Sequence, residues 1–93
     1  NAVNFPNVEM ARESPYRVAI ANANVPNMLG QISTTMANAK LNIHNMINKS
    51  RGDMAYTLVD VDSPAGAEVI KAIAKINGVL SVRAIPLLNE NKR

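Results

Sequence analysis

The chain has 93 residues, 47% of them hydrophobic, which fits one small domain with a single core and excludes a disordered segment. With no cysteine there are no disulfides, thiolate nucleophiles or cysteine-ligated zinc, and no apolar run nears the roughly 20 residues of a membrane helix. The net charge of +3 is scattered over Arg17, Lys40, Lys49, Arg51, Lys71, Lys75 and Arg83, with Asp53, Asp60, Asp62 and Glu68 among them, and three aromatics, Phe5, Tyr16 and Tyr56, make no stacking platform for single-stranded nucleic acid. The expectation is a cytoplasmic domain with neither nucleic acid nor membrane as partner. A domain this small leaves much of its surface in water, so oligomerisation is expected too.

Residues 1–15, with Pro6, Pro15, Asn1, Asn4, Asn7 and Ser14, keep no period and read as an interdomain linker or arm. The chain starts without methionine, and the expectation is a piece of a longer protein. From Tyr16 a strand is predicted, Val18 and Ile20 alternating with Ala19 and Ala21. Asn24 is the predicted N-cap, with Pro26 in the first turn of a helix over residues 25–39 whose apolar stripe is Leu29, Ile32 and Met36. Leu41, Ile43 and Ile47 give a second strand, where Asn45 interrupts the alternation and marks either a bulge or a functional position. A turn at Arg51-Gly52-Asp53 leads into a third strand, residues 54–61, forming a hairpin with the second.

Ser63 and Pro64 read as cap and first-turn proline of a second helix carrying Val69, Ile70, Ile73 and Ile76 and ending at Asn77-Gly78. Residues 79–85 form a fourth strand closed by Pro86, and residues 87–93 a polar tail. The order βαββαβ predicts a ferredoxin-like α+β domain over residues 16–86: a four-stranded antiparallel sheet with both helices on one face.

Catalysis fails on inventory. His44 is the single histidine, and no triad, metal cluster or glycine-rich phosphate loop can be assembled from these residues, so no catalytic residue is expected. His44 itself is expected to face solvent or an interface. The tripeptide Arg51-Gly52-Asp53 is ordinary turn chemistry, and Met28, Met36, Met46 and Met54 sit in periodic segments as core fillers.

Asparagine is the residue in excess: 13 in the chain, with Asn22, Asn24, Asn27, Asn42, Asn45 and Asn48 around one strand-to-helix turn and the next strand. An amide offers both an acceptor and a donor, and the free N–H groups of a helix start favour a carboxylate, so this junction suits a small zwitterion such as an amino acid. Asn24 has a capping explanation, worth about 0.5–2 kcal/mol against alanine. Asn22 and Asn42 have no such local one. The loop after the first strand and the start of the second strand are expected at the same end of an exposed edge, which would pair with a copy of itself.

The run Asn24-Val-Pro-Asn-Met-Leu-Gly-Gln-Ile32, then Leu41-Asn42-Ile43, Met54-Ala-Tyr-Thr-Leu-Val-Asp-Val-Asp62 and Gly78-Val-Leu-Ser-Val-Arg83, resembles an ACT domain. These are small regulatory modules that bind amino acids at subunit interfaces. Residues 3–10 and 13–17 are similar to the segment that leads into the C-terminal ACT domain of the D-3-phosphoglycerate dehydrogenases, so the resemblance covers nearly the whole chain.

That resemblance implies feedback control of serine biosynthesis by L-serine, held by Asn22 and Asn24 of one subunit and Asn42 of its neighbour in a homodimer built on the edge strand and first helix. It implies no cofactor in these residues, with NAD bound by the dehydrogenase portion elsewhere. Serine-binding members carry a histidine where this chain has Asn22, a glycine at Asn27, and a glycine at Lys40. The alternative is a purely oligomerising domain of the same enzyme that has lost its effector.

Overall fold

Val18 and Ile20 alternate with small residues because their strand lies inside a sheet. The structure, a computed structural model, describes residues 16–86, so the expected arm over residues 1–15 and tail over 87–93 lie outside the described residues. Six elements follow in the order β1 (Tyr16–Ala23), α1 (Met28–Asn38), β2 (Ile43–Arg51), β3 (Met54–Val61), α2 (Ala67–Ala74) and β4 (Val79–Pro86). The strands form one sheet in the order β2-β3-β1-β4, every neighbouring pair antiparallel. This is the ferredoxin-like arrangement expected from the sequence.

The period of each element decides its buried face. Val18 and Ile20 of β1 and Val59 and Val61 of β3 join Met28, Ile32 and Met36 of α1, Leu41, and Ile73 of α2 in one core between sheet and helices. Val69, Ile70 and Ile76 pack against that core half-buried, and so does Met46, whereas Met54 is outside it. On the opposite face Arg17 meets the buried Asp60 in a two-pronged pair, Nε to Oδ1 at 2.7 Å and Nη2 to Oδ2 at 3.1 Å. The register places the two residues directly across β1 and β3.

Both helices begin later than the sequence reading expects. Val25 precedes a proline, which disfavours helical backbone there, so Pro26 and Asn27 form a turn and α1 opens at Met28. The residue at the cap position is Asn27, not Asn24, with φ of 69° and no side-chain capping bond. Likewise Ser63 and Pro64 precede α2 rather than capping it, since Gly66 occupies its N-cap and Ser63 Oγ donates to Asp62 instead. The C-terminal half of the second helix is shorter too: it stops at Ala74, with Ile76 in the following turn.

Two expectations about special backbone hold. The register of β2 against β3 slips between Ile43 and Asn45, leaving His44 as the extra residue of a bulge, and Lys40, where the resemblance implies glycine, adopts φ of 63°, left-handed geometry. Gly52, with φ of 62°, is the first central residue of the two-residue turn between Arg51 and Met54, as a tight hairpin requires. Gly78 has φ of 101°, and a Cβ there would lie 2.8 Å from Met28 Cε and 3.6 Å from Ala23 Cβ.

These positions test the cost of backbone strain. Gly78→Ala and Gly52→Ala are each expected to cost about 1–3 kcal/mol in urea unfolding through the strain of a side chain at positive φ, since at Gly78 the close contact is with the flexible end of Met28 and at Gly52 there is open space. Lys40→Gly should raise stability by up to about 1 kcal/mol.

Candidate functional site

The loop between β1 and α1 is held by the hairpin turn beside it. Ala23 N–H donates to Gly78 O at 2.7 Å, Asn24 N–H donates to Asp53 O at 2.8 Å, and Asn24 Nδ2 donates to Gly52 O at 3.1 Å. Asn24 is therefore a loop anchor with its second amide hydrogen and its Oδ1 turned toward solvent. Asn27 is exposed and in left-handed geometry, φ of 69°, which suits glycine best and asparagine next best. Beyond it the N–H groups of the first turn of α1 have no intrahelical acceptor. The groove of about 320 Å³ that Asn27 shares with Gly30, Gln31 and Ile76 opens toward α2, away from the sheet edge.

Asn22 differs from this picture. It is 1% exposed, its Nδ2 donates to Ala23 O at 2.9 Å, and its Oδ1 accepts from Thr57 Oγ1 at 3.0 Å. Thr57 Oγ1 in turn accepts from Asn48 Nδ2 at 2.9 Å. The chain of bonds links β2, β3 and β1 at one level of the sheet, so Asn22 has the local explanation the sequence did not reveal.

Asn42 stands just before β2 and is exposed. Its backbone N–H and its Nδ2 donate to the two oxygens of Asp62, at 3.1 and 3.0 Å, and Asp62 N–H returns a bond to Asn42 O at 3.0 Å. The N–H and amide of Asn42, with a smaller contribution from Ser63, hold the Asp62 carboxyl below its ordinary pKa. Thr57, Asn48, Gly52 and Asp62 are the residues that reading along the sequence missed. Only strand register could have found them.

The loop and the start of β2 were expected at the same end of the sheet. Within one chain they are at opposite ends. Ala23 pairs with Met54 at the start of β3 while Ile43 pairs with Val61 at its end, so the two half-sites are separated by seven strand steps, about 24 Å. Antiparallel connectivity makes this unavoidable.

A second copy paired along β2 would bring them together. β2 is an edge strand, and no described element covers its outer side. Antiparallel pairing of two β2 strands about a two-fold axis sets the start of one beside the end of the other, where Arg51 adjoins the Gly52 that anchors Asn24. The helix supports such an interface: Gln31, Thr34 and Thr35 lie on its side nearer α2, and Leu29 and Ser33 lie on the side toward the β2 edge, where Leu29 is an exposed apolar residue. His44 is exposed at the bulge on the same edge.

Neither a family model nor a curated protein matches the sequence. Solved structures do match. The ACT domain of the GTP pyrophosphokinase from Chlorobium tepidum aligns with a TM-score of 0.62 at 14% identity, over 75% of this chain and 95% of that one. The ligand-free regulatory subunit of aspartate kinase from Thermus thermophilus gives 0.61 at 13% identity, over 76% of this chain and 50% of that one. The C-terminal domain of the MgtC protein from Mycobacterium tuberculosis gives 0.55 at 18% identity, over 85% and 93%. At these identities the likeness is one of fold, and the fold is that of ACT domains.

The amide network and the Asp62 cluster behave differently on mutation. Thr57→Val keeps the shape of a buried residue but strands Asn22 Oδ1 without a donor, and is expected to cost about 1–3 kcal/mol in chemical denaturation. For Asp62 the folded-state pKa is depressed, so its contribution is fully present above the unfolded value of about 3.9 and is lost as pH falls through the lower folded value. The stability difference between the parent chain and Asp62→Asn, present at neutral pH, should therefore vanish in strongly acidic unfolding titrations.

Proposed function

We propose that this domain is a regulatory module of a longer protein and that it binds a small amino acid, L-serine, across a two-fold interface between copies. One observation carries the reading: Asn24 with the start of α1 and Asn42 with the start of β2 lie at opposite ends of one sheet, where pairing of two chains at the β2 edge would join them as half-sites. A ligand bridging two chains favours the paired state by its differential affinity, and that bias is what a regulated enzyme would read. Loop donors and first-turn N–H groups match a carboxylate, and the Asn42 side matches the rest of the zwitterion. Two structural neighbours, an ACT domain of GTP pyrophosphokinase and a regulatory subunit of aspartate kinase, support a regulatory role for the fold.

The sequence resemblance to the D-3-phosphoglycerate dehydrogenases supports serine as effector and an NAD-dependent dehydrogenase as the protein it controls. The residues described here do not fit NAD themselves, since Gly30, Gly52, Gly66 and Gly78 are scattered and build no phosphate loop. A second reading, oligomerisation without an effector, is favoured by one specific fact: Asn22 is consumed in an internal network where serine-binding relatives carry a histidine.

Titration separates the two. L-serine at one hundred times its Kd is expected to stabilise the chain by about 2.7 kcal/mol in thermal unfolding and to shift sedimentation toward the dimer. Asn42→Ala should abolish both responses with the fold retained, and Leu29→Lys should weaken the dimer and serine response together. A verified dimer whose melting no amino acid changes would leave the oligomerising role.

A further inference from the structure

We propose that the face of the sheet turned away from the helices is a docking surface, and that its occupant is the chain's own segment before β1, residues 3–13, which lies outside the described residues. The inference is independent of the ligand reading above. What carries it is burial on the side where neither described helix lies. Strand alternation sends Val18, Ile20, Val59 and Val61 to the helices, so Arg17, Ala19 and Ala21 of β1 and Leu58 and Asp60 of β3 point the other way. There Ala19 is 2% exposed, Ala21 0%, Leu58 7% and Asp60 0%.

Neighbouring side chains on the sheet do not account for these values. Leu58 stands between Ala19 on β1 and Ile47 on β2, and a leucine beside a methyl group shows much of its surface unless something lies over it. The Arg17–Asp60 pair makes the same point with charge. Its carboxylate side chain is 0% exposed and its arginine 11%, a desolvation that an ion pair on an uncovered surface escapes. Ala19 and Ala21 are thus the floor of a trough along β1, with Tyr56 and Leu58 rising on the β3 side and Arg83 and Ile85 on the β4 side.

Shape, length and charge select the occupant. A trough one strand wide admits extended backbone, and the eight-residue strands beneath it span about 26 Å, which eight extended residues cover. The segment joins the sheet directly at Tyr16, and 15 residues reach far enough to turn and run back over it. It carries Val3, Phe5, Val8 and Met10 for the trough, and Glu9 and Glu13 against one Arg12. The flanks of the face are basic, Lys49 and Arg83 both being exposed, and an acidic apolar segment complements them. A second copy would set the same cations against one another. The residues after β4 bring Leu87 and Leu88 but add Lys92 and Arg93 against Glu90 alone, the wrong sign for this rim.

Nuclear magnetic resonance of the labelled 93-residue chain tests this. Nuclear Overhauser contacts from the Phe5 ring to the methyls of Ala19 and Ala21 are expected, unchanged on dilution. Phe5→Ser should remove them, lower the thermal midpoint by roughly 5–10 °C and speed trypsin cleavage after Arg12 by about tenfold or more. Absence of the Phe5 contacts in the folded parent chain overturns the proposal without any variant. So do contacts to these alanines from Leu87 or Leu88 instead, and contacts found only between chains in a mixed-label sample. A parent chain cut after Arg12 as fast as its Phe5→Ser variant also overturns it.

Discussion

Three hydrogen bonds at the exit of β1 organise the molecule. As the central strand ends, Ala23 is tied to Gly78, and Asn24 to Asp53 and Gly52, so one short stretch of backbone is fixed at once to the turn before β4 and to the β2–β3 hairpin. Everything between β1 and α1 inherits its position from those bonds. Met28 then enters the core across Gly78, an approach that a Cβ at that position would obstruct at 2.8 Å. The same contact that seats the first helix on the sheet also places the loop amides at the sheet's corner, so the site's geometry and the core's packing share supports.

The sheet has two ends because its strands are antiparallel, and the consequences for binding are severe. A single chain presents a donor-rich corner at the end of β1 and an acceptor-rich corner before β2, about 24 Å apart along β3. Neither corner encloses a small molecule alone. An edge strand is usually a liability, and the bulge at His44 together with Lys49 and Arg51 restrains indiscriminate pairing along β2. A two-fold partner of the kind proposed would differ from an arbitrary strand, since it would supply the missing corner.

Much of this was legible in the residues. Alternation around Val18 and Ile20, the stripe through Ile32 and Met36, the broken alternation beside the bulge at His44 and the glycine turns all fix local geometry by short-range sterics, and every expected element is present, although both helices start later than those signals put them. The start of α1 was misplaced because Asn24 carries a capping side chain, whereas the proline after Val25 governs the backbone and Asn27 takes the cap position. Asn22 looked free of local duty because its partner, Thr57, is 35 residues away in sequence and adjacent only through strand register. Asp62 escaped notice for the same reason: its bond to Asn42 spans 20 residues. Side-chain partners across a sheet are set by register, and composition or periodicity along one strand does not encode which of two ends a residue will occupy.

The burial of Asn22 has a definite physical meaning. An amide 1% exposed, bonded to Thr57 and to the backbone of Ala23, cannot turn outward without breaking two bonds and leaving a buried hydroxyl unpaired, at a cost of about 1–3 kcal/mol for each orphaned group. A ligand would have to return that energy to recruit it. Asn24 is exposed and under no such constraint, so in the proposed site the carboxylate half would rest on the loop and helix start, with Asn22 bracing the sheet beneath them. Recognition in that site would depend on the meeting of one loop with one partner strand, and an effector held there would be coupled to dimerisation by thermodynamic necessity, since each process strengthens the other by the same factor.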